Sequence, residues 1–359
     1  MNKLKLGVIL GGISTEHDVS ITSGTSVIKN LDKTKYDIYP IYIDRNGEWF
    51  QYNKRIEDIE ILEVGEKIEE IAPIANPIEY LKKLDVIFPV LHGLYGEDGT
   101  IQGLLELLKL PYVGCKVLSS SVCMDKVYTK IILKKAQIDQ ANYIYIKKNN
   151  SEYIYVDENF SEKIVSMKDI TELVENKLTY PVFVKPSNSG SSVGINKAHN
   201  GEELKKAVEY ASKFDFKILI EQGVIGREVE CAVLGNENPE ASCVGEILPA
   251  EEFYTFDAKY KNAESRVVMP AEIPEEISEE IRKKAVKAFK AVAATGLARV
   301  DFFIEDKTNK VIINEINTLP GFTQISMYPK LWEQMGLTYT KLLDKLIELS
   351  IESKNKEVK

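Results

Sequence analysis

The chain has 359 residues, of which 44% are hydrophobic and 28% are charged, with 13 Pro and 21 Gly. At roughly 150 residues per domain this length predicts two or three domains, and the composition excludes disordered, collagenous and coiled-coil proteins. The 46 Lys and Arg residues against 55 Asp and Glu give a net charge of -9, which argues against a nucleic-acid partner because phosphate backbones attract basic surfaces.

Cysteine usage and hydropathy indicate where the protein works. The four cysteines, at positions 115, 123, 231 and 243, show no C-x-x-C spacing, so we predict free thiols in a reducing cytoplasm and neither a zinc site nor disulfides. The apolar stretch near the start is short and runs into charged residues, which favours a first β-strand over a signal peptide. No run approaches the roughly 18 apolar residues of a membrane helix, so no membrane partner is expected.

In the first third of the chain, apolar runs and helical spacing alternate. Strands are predicted at residues 5–10, 36–43, 85–91 and 111–114, and helices at residues 19–31 and 100–108. Asn46-Gly47 is a hairpin turn signal between the second strand and the aromatic residues 49–52. The alternation predicts an α/β unit with a parallel sheet, whereas residues 54–79 show no clear pattern.

The rest of the chain has more strands than helices. Helices are predicted at residues 124–135, 201–212 and 275–295, and strands at residues 180–185, 217–221, 227–234, 241–247, 298–304 and 311–316. Residues 142–160 are typical either of paired strands or of an exposed insert. Residues 248–270 form a polar, aromatic loop whose length is typical of a lid or of a disordered segment. The pattern changes near residues 122 and 215, where we place the domain boundaries.

The strongest local signal for chemistry is carried by two predicted strands near the end of the chain. Arg299 and Asp301 are two residues apart, as are Glu315 and Asn317, so each pair shares one face of its strand. If the strands pair, three oxygen ligands meet beside one arginine, a set that suits Mg2+ and its phosphate ligands. An edge hairpin with solvated charges is the alternative, but apolar neighbours such as Phe302 indicate buried strands, where charges have a partner or a metal.

A second signal is Lys185 at the end of a predicted strand, followed by the glycine- and serine-rich loop 186–194. Backbone N–H groups and hydroxyls of such a loop suit phosphate oxygens, and the lysine adds a cation. The loop matches neither the P-loop nor the Rossmann pattern, and a plain surface loop is the alternative. Lys126 is a candidate for a second phosphate cation, with a solvated helix lysine as its alternative.

Two of the three histidines lie in loops that follow predicted parallel strands. His17 follows Glu16, and His92 precedes Glu97 and Asp98. Such loops, at the carboxyl ends of strands, are where open α/β sheets bind ligands. A structural histidine that satisfies buried backbone groups is the alternative for each of them.

Eight segments, in order along nearly the whole chain, resemble the D-alanine:D-alanine ligases of the ATP-grasp superfamily. They are GGISTEHDVSITSG, FPVLHGLYGEDGTIQGLLE, VCMDK, YPVFVKPSNSGSSVG, ILIEQ with GREVE, FYTFDAKY, ARVDFF and INEINTLPGFTQIS. The resemblance implies an α/β fold with a three-domain ATP-grasp architecture. An N-terminal parallel α/β domain, residues 1–122, is followed by two α+β domains, residues 123–215 and 216–359, that clasp ATP. The loop near residues 248–270 is expected to close over the site.

The reaction implied by the resemblance joins two D-alanine molecules into D-alanyl-D-alanine for peptidoglycan, and thus for the cell wall and cell shape. ATP first converts a carboxylate to an acyl phosphate and leaves as ADP. Two Mg2+ ions are implied, with Mn2+ as an alternative, and a requirement for a monovalent cation is left open. The implied partners are D-alanine and ATP, and the usual assembly in the family is a homodimer.

For the nucleotide and the metal, the resemblance assigns a set of contact residues. Glu221 is expected to bind the adenine amino group, Glu228 the ribose, and the backbone from Gln222 to Val224 the base. The residues expected to contact the ATP phosphates are Lys126, Lys185, Lys259, Ser191 and Ser192. The Mg2+ ligands of the family match Asp301, Glu315 and Asn317, which strand alternation also brings together.

The resemblance further assigns the site of the first amino acid. Glu16 is expected to hold the ammonium group of this substrate, supported through Ser191 and Tyr260. His92 is expected to lie near its carboxylate.

The reacting centre and the second substrate are assigned to a shorter set. Arg299 matches the arginine that faces the transferred phosphate and the developing oxyanion, and Ser326 and the backbone of Gly321 match the second subsite. The chain departs from the family at Gln222, where many members have Lys, and at residues 324–325, which read Gln-Ile where many have Ser-His. These departures leave nucleotide affinity and the fine structure of the second subsite open.

Three other functions are alternatives to this one. A related ligase of the glycopeptide-resistance type would use D-serine or D-lactate as second substrate; Tyr260 argues against D-lactate, since relatives that form depsipeptides have His at that position. A non-catalytic nucleotide-binding regulator is disfavoured because all three predicted metal ligands are present. A dinucleotide oxidoreductase built on Gly11-Gly12 lacks the G-x-G-x-x-G pattern.

Overall fold

Three β-sheets with helices on their faces organise the chain, each built from strands that follow one another along the sequence. The structure, a computed structural model, describes residues 3–248, 266–323 and 325–357, and within them the sheets contain five, six and five strands. This mixed α/β architecture agrees with the predicted fold class.

The first sheet is formed by the start of the chain. Its strands are β1 (Leu4–Gly11), β2 (Tyr36–Ile43), β3 (Trp49–Tyr52), β4 (Ile71–Pro73) and β5 (Val86–Pro89), accompanied by α1 (His17–Asn30), α2 (Pro77–Leu81), α3 (Thr100–Leu107) and α4 (Val117–Met124). The strand order is β4-β3-β2-β1-β5. β1 pairs in parallel with β2 and β5, whereas β3 and β4 add an antiparallel edge, so the predicted parallel sheet is in fact mixed.

The predicted strand at residues 111–114 is wrong in extent. Only Tyr112 pairs, through an isolated parallel bridge to Ile87. The chain then leaves the sheet at Gly114, whose φ of 114° is a conformation that glycine adopts readily and other residues rarely do.

The second sheet is antiparallel throughout, with the order β10-β9-β11-β6-β7-β8. Its strands are β6 (Tyr143–Asn149), β7 (Glu152–Val156), β8 (Glu162–Val165), β9 (Val182–Pro186), β10 (Asn196–Ala198) and β11 (Lys217–Gln222), with helices α5 (Lys126–Lys135), α6 (Met167–Lys177) and α7 (Gly201–Ala211). Residues 142–160 thus contain paired strands, because Ile144 and Ile146 alternate into the core. The two domain boundaries stay a prediction. Since β11 belongs to this sheet, we propose to place the second boundary after Gln222.

The helix predicted at residues 124–135 is α5, and a separate helix, α4, which was not predicted, comes directly before it. α4 ends at Met124 and α5 begins at Lys126. Between them Asp125 has an extended backbone, and its carboxylate accepts hydrogen bonds from the N–H groups of Val127 and Tyr128. An aspartate that satisfies the first N–H groups of a helix acts as its N-cap, so Asp125 starts a new helix in a new direction.

The third sheet is also antiparallel, with the order β14-β13-β12-β15-β16. Its strands are β12 (Gly226–Gly235), β13 (Glu240–Leu248), β14 (Arg266–Val268), β15 (Gly296–Glu305) and β16 (Val311–Asn317), with helices α8 (Glu275–Ala291), α9 (Met327–Gln334) and α10 (Tyr339–Glu357). The end of the predicted loop 248–270 is therefore strand, while residues 249–265 lie outside the described residues. α8 ends before residue 295 because Ala293 turns to a φ of 54°, which no helix continues.

The first and third sheets share one hydrophobic core. Phe88 of β5 meets Phe322 edge to face at 5.6 Å between ring centroids, and Leu343 and Leu346 of α10 are buried in the same cluster. The beginning and end of the described chain are thereby fixed against each other. In the ranges that the structure covers, no helix combines the length and apolar character that a bilayer crossing requires.

One polar contact joins α10 to the first sheet, and its loss is expected to weaken the fold. Asp344 accepts hydrogen bonds from the hydroxyl of Tyr36 at 2.9 Å and from Nζ of Lys35 at 2.6 Å. Asp344→Ala is expected to lower the free energy of unfolding by about 2 kcal/mol, because the buried hydroxyl loses a charged acceptor. Urea denaturation followed by circular dichroism measures the change. Asp37→Ala, which removes an exposed acceptor of Tyr39, is the control, and an equal loss in both variants would contradict the expectation.

Candidate active site

Three neighbouring strands of the third sheet place a row of charges on one face. In the register of β12, β15 and β16, Glu230 lies opposite Asp301, which in turn lies opposite Glu315. Arg299 lies opposite Asn317, two residues along β15 and therefore on the same face. The predicted pairing of the two motifs is confirmed, and Glu230 extends the row to a third strand.

Arg299 is held by two carboxylates. Its Nε and Nη2 donate to Asp301 at 2.8 and 2.7 Å, and its Nε lies 2.9 Å from Oε2 of Glu230. Nδ2 of Asn317 donates to Asp301 at 2.9 Å. The side chains of Glu230 and Asp301 are only 5% and 3% exposed, so each needs the guanidinium to stay ionised. Burial works to lower the pKa of Arg299, but Asp301 and Glu230 outweigh it and hold the pKa well above its ordinary value.

The side chains beside Arg299 offer oxygen atoms of the kind that bind hard metal ions. Asp301, Glu315 and Asn317 supply two carboxylates and one amide, and Mg2+ and Mn2+ prefer such oxygen donors, whereas zinc and copper favour histidine and cysteine. Throughout the described ranges, no group of three or more His, Cys, Asp or Glu side chains is arranged to hold a metal ion. With Asn317 the candidate set has three oxygen donors, and the chemistry of those donors suits Mg2+.

A second buried ion cluster joins the central sheet to α5. Nζ of Lys185 on β9 donates to Oε2 of Glu221 on β11 at 2.7 Å, and Lys130 of α5 forms an ion pair with Oε1 of the same carboxylate. Burial alone would raise the pKa of Glu221, but the two ammonium groups outweigh it and lower the pKa to about 2. Burial likewise opposes the charge of Lys185, yet Glu221 and then Glu315 raise its pKa. The charge of Glu315, in the row around Arg299, thus acts electrostatically on Lys185 in this second cluster.

The loop that follows β9 is tied to the start of α5. Oγ of Ser187 donates to Asp125 at 2.6 Å. Lys126 donates from its backbone N–H to the carbonyl of Ser187 at 3.0 Å, and from Nζ to the carbonyl of Ser189 at 2.5 Å. The structure therefore brings the predicted phosphate lysine Lys126 and the glycine- and serine-rich loop together.

Glu16, the residue before α1, meets the tip of this loop. Ser191 and Ser192 both have left-handed backbones, with φ of 49° and 60°, a conformation that costs a non-glycine residue on the order of 1–2 kcal/mol. This turn lets Oγ of Ser191 donate to Oε1 of Glu16, as the resemblance implied. A Cβ atom at Gly93 would lie 2.5 Å from Oε2 of Glu16 and one at Gly190 would lie 2.8 Å from it, so the carboxylate needs glycine on both sides.

His92 is buried beside Glu16 and contacts the third part of the chain. Its Nδ1 lies 3.1 Å from the carbonyl oxygen of Leu319, and its Nε2 lies 2.9 Å from Oγ of Ser23. A carbonyl only accepts, so Nδ1 carries a proton. Burial works to lower the pKa of His92, but Glu97, 3.5 Å from Nδ1, and the charge of Glu16 outweigh it and raise the pKa.

The predicted second subsite lies on the loop between β16 and α9. The N–H of Phe322 donates to Oγ of Ser23 at 3.4 Å, which anchors this loop to α1. Oγ of Ser326 accepts from the N–H of Thr323 at 3.0 Å. A Cβ atom on Gly321 would come within 2.7 Å of Oγ of Ser326, so the close approach of these two predicted residues requires the glycine.

The remaining predicted nucleotide contacts lie along β11 and β12. Glu228 contributes, after Glu221 and Glu315, to the raised pKa of Lys185. Oε1 of Gln222 accepts a hydrogen bond from a backbone N–H at 3.2 Å, and Val224 is half-buried in the connection between the two strands. Outside the described residues lie Lys259, Tyr260 and Gln324.

Family models cover most of the chain. Residues 5–115 match the model described as the D-ala D-ala ligase N-terminus, and residues 132–348 match the D-ala D-ala ligase C-terminus. The chain belongs to the D-alanine:D-alanine ligase family. A D-alanine:D-alanine ligase from Clostridium novyi is 49% identical over 99% of this chain and 100% of its own length. The family and the ATP-grasp fold predicted from the sequence motifs are confirmed.

Solved structures of family members superpose on the whole molecule. The D-Ala:D-Ser ligase VanG from Enterococcus faecalis has a TM-score of 0.83 at 36% identity and covers 97% of this chain and 100% of its own. The D-alanine:D-alanine ligase from Bacillus anthracis complexed with ATP has a TM-score of 0.74 at 31% identity, with 99% of each chain covered. The family fold thus extends over both clusters and over the loops that join them.

Three residues of this candidate site escaped the sequence prediction. Glu230 follows Glu228 at the strand period of two, and Lys130 follows Lys126 at the helical spacing of four, so signals for both were present. Ser23 had no such signal, because its contacts with His92 and with the loop after β16 arise only when distant segments fold together.

The charge on His92 is open to direct measurement. Glu97→Gln removes its nearest counter-charge and is expected to lower the pKa of His92, which NMR titration of the imidazole nitrogens follows. The chain has three histidines, and the other two serve as internal references. Because the pKa is raised in the folded state, the stabilisation from this pair is complete below the unfolded value of about 6.5 and is lost as the pH rises through the folded value. An identical titration in both proteins would refute the role given to Glu97.

Proposed function

We propose that this protein joins two D-alanine molecules into D-alanyl-D-alanine, with ATP converted to ADP and phosphate, for the synthesis of peptidoglycan precursors. The observation that carries the proposal is Arg299, buried between Glu230 and Asp301 beside the oxygen donors of Glu315 and Asn317. A fixed cation and ligands for a hard metal at one point are what phosphoryl transfer to a carboxylate requires. ATP use is supported by the family and by its ATP-bound member.

The first chemical step activates a carboxylate, which is a poor acyl donor. An oxygen of the D-alanine carboxylate attacks the γ-phosphorus of ATP, the bond to ADP breaks, and an acyl phosphate forms. This transfer needs positioning and charge neutralisation more than covalent help, and Lys126, Lys185 and Arg299 supply three cations. Two Mg2+ ions, or Mn2+, held by Asp301, Glu315 and Asn317 would add Lewis-acid neutralisation of the phosphate oxygens.

The second step forms the peptide bond. The amine of the second D-alanine attacks the acyl carbon and loses a proton, and phosphate leaves with the electron pair of the broken C–O bond. Negative charge develops on the acyl oxygen before phosphate departs, and preorganised donors stabilise such an oxyanion. We assign this role to the guanidinium of Arg299 and the N–H of Gly321, with Ser326 orienting the second substrate.

Recognition of the first D-alanine rests on charge complementarity. The carboxylate of Glu16, oriented by Ser191, would bind its ammonium group. His92, whose pKa is raised by Glu97 and Glu16 in spite of its burial, would favour a carboxylate nearby. We also assign Tyr260 to the support of Glu16 and Lys259 to the phosphate on the strength of the family pattern.

Two further properties follow from family membership as proposals. We place the protein in the cytoplasm, where its nucleotide substrate is available, and we propose a homodimer, which light scattering tests. Neither property is needed for the chemistry at Arg299, since the residues assigned to the reaction all belong to one chain.

A second candidate function differs only in the amine acceptor. The likeness to VanG, a D-Ala:D-Ser ligase with a TM-score of 0.83, favours D-serine as the alternative to D-alanine. The curated relative at 49% identity is a D-alanine:D-alanine ligase, and this higher identity is the reason for proposing D-alanine.

Product identity decides between the two acceptors. Phosphate release with ATP, Mg2+ and D-alanine alone is expected, with D-alanyl-D-alanine identified by mass. EDTA is expected to abolish release, and excess Mg2+ or Mn2+ to restore it. Phosphate release only after addition of D-serine or D-lactate would identify the protein as a resistance-type ligase. Phosphate release that does not depend on any D-amino acid would overturn the ligase proposal.

The role of Arg299 is tested by a variant that keeps its charge. Arg299→Lys loses the planar fork that binds Asp301 and Glu230, and kcat is expected to fall by about 100-fold or more, the effect of removing one oxyanion donor. The matched control is Arg282→Lys on α8, whose guanidinium pairs with Glu279 at 2.8 Å near the surface. Near-normal turnover of Arg299→Lys, with a parental circular dichroism spectrum, would rule out this role.

A further inference from the structure

Lys130 is a buried lysine that the reaction described above does not use. It lies one helical turn after Lys126 on α5, and its side chain is only 5% exposed. Its ammonium group forms an ion pair with Oε1 of Glu221 and lies 5.2 Å from the ring centroid of Tyr143. Burial lowers the pKa of Lys130 although Glu221 works to raise it. A charge placed at such depth is costly unless its partner needs it.

The partner, Glu221, is shared between two lysines. Lys185 takes Oε2 at 2.7 Å and Lys130 takes Oε1. Lys185 is the lysine assigned to the ATP phosphates. Its ammonium group has three donors, and turning one of them from Glu221 to a phosphate oxygen would weaken its pair with Glu221. With Lys185 as its only partner, the buried carboxylate would be left uncompensated by this transfer, which is strongly destabilising.

We propose that Lys130 is a positioning residue that keeps Glu221 neutralised while Lys185 transfers its hydrogen bond from Glu221 to a phosphate of a nucleoside triphosphate. Lys130 does not touch the nucleotide phosphates in this scheme and acts only through Glu221. The inference rests on the proposed function, because it takes ATP as the ligand of Lys185. The proposal explains why Glu221 pairs with two lysines, since Lys185 alone could neutralise it in the absence of a nucleotide.

The scheme distinguishes ligands with phosphates from ligands without them. In this scheme ATP draws Lys185 away from Glu221, whereas adenosine has no phosphate and leaves the pair intact. The contact assigned to Glu221 with the adenine amino group is common to both ligands and does not distinguish them. Loss of the charge at position 130 should therefore weaken ATP binding and spare adenosine binding. A purely structural role for Lys130, by contrast, would disturb the pocket for both ligands alike.

The test compares Lys130→Met with Lys134→Met. The methionine keeps an unbranched side chain, and Lys134, four residues further along α5, pairs with Glu158 at the surface at 2.9 Å. Isothermal titration with ATP and with adenosine, and the KM for ATP, are measured on the full chain. Lys130→Met is expected to raise the Kd and KM of ATP about tenfold or more, the scale of a broken buried pair. The Kd of adenosine and the KM of D-alanine should stay within about twofold, as should all constants of Lys134→Met.

A double-mutant cycle with Glu221→Gln separates the charge effect from packing. With a neutral side chain at 221, Lys185 is no longer retained, so Lys130→Met should have no further effect on the ATP to adenosine affinity ratio. An equal loss in both backgrounds, or equal weakening of ATP and adenosine, would overturn the proposal. If Lys130→Met does not fold, Lys130→Gln, which lacks the charge but keeps a hydrogen-bond donor, takes its place in the cycle.

Failure of the underlying function gives a different result. Parent protein that does not bind ATP, although its circular dichroism spectrum is that of a folded protein, removes the nucleotide assignment itself. Parent protein that binds ATP while Lys130→Met binds it equally well removes only the role of Lys130.

Discussion

Charges removed from water need partners, and the candidate active site depends on how the fold supplies those partners. Arg299 has two carboxylates, Glu230 and Asp301, and Glu221 has two lysines, Lys130 and Lys185. In both clusters the central charge would keep one partner if the other engaged a ligand, as proposed above for Glu221. The site can therefore hold desolvated charges ready for a reacting phosphate without losing the electrostatic compensation that keeps them buried.

Contacts near the candidate site also join the three parts of the chain. Ser191 of the central part reaches Glu16, and His92 reaches the carbonyl of Leu319 in the third part. The field of Glu315 reaches Lys185 across the remaining gap. The contacts that hold the three parts together thus also position the site, so a change that loosens the shared core is expected to disturb the relative positions of the charged groups.

Features that depend on neighbouring residues could be predicted from the sequence, whereas features that depend on contacts between distant segments could not. Strand alternation placed Arg299 and Asp301 on one face because a period of two is local. The prediction lacks α4 and begins the next helix at Met124, two residues before α5, although an Asp before a helix is a local capping signal. The pairing of Lys130 with Glu221 could not be predicted, because helix and strand meet only through tertiary packing.

The choice of the second substrate rests on a small part of this arrangement. D-alanine and D-serine differ by one hydroxyl, and a pocket without a polar group for that hydroxyl discriminates weakly against it. In the proposed scheme the charges around Arg299 do not meet the side chain of the acceptor, whereas the loop bearing Gly321 and Ser326 is assigned to the second substrate. That loop is anchored from α1, through Oγ of Ser23 and the N–H of Phe322. The D-Ala:D-Ser ligase VanG shares the fold of this chain, which is consistent with a choice of acceptor made by a loop and not by the sheets.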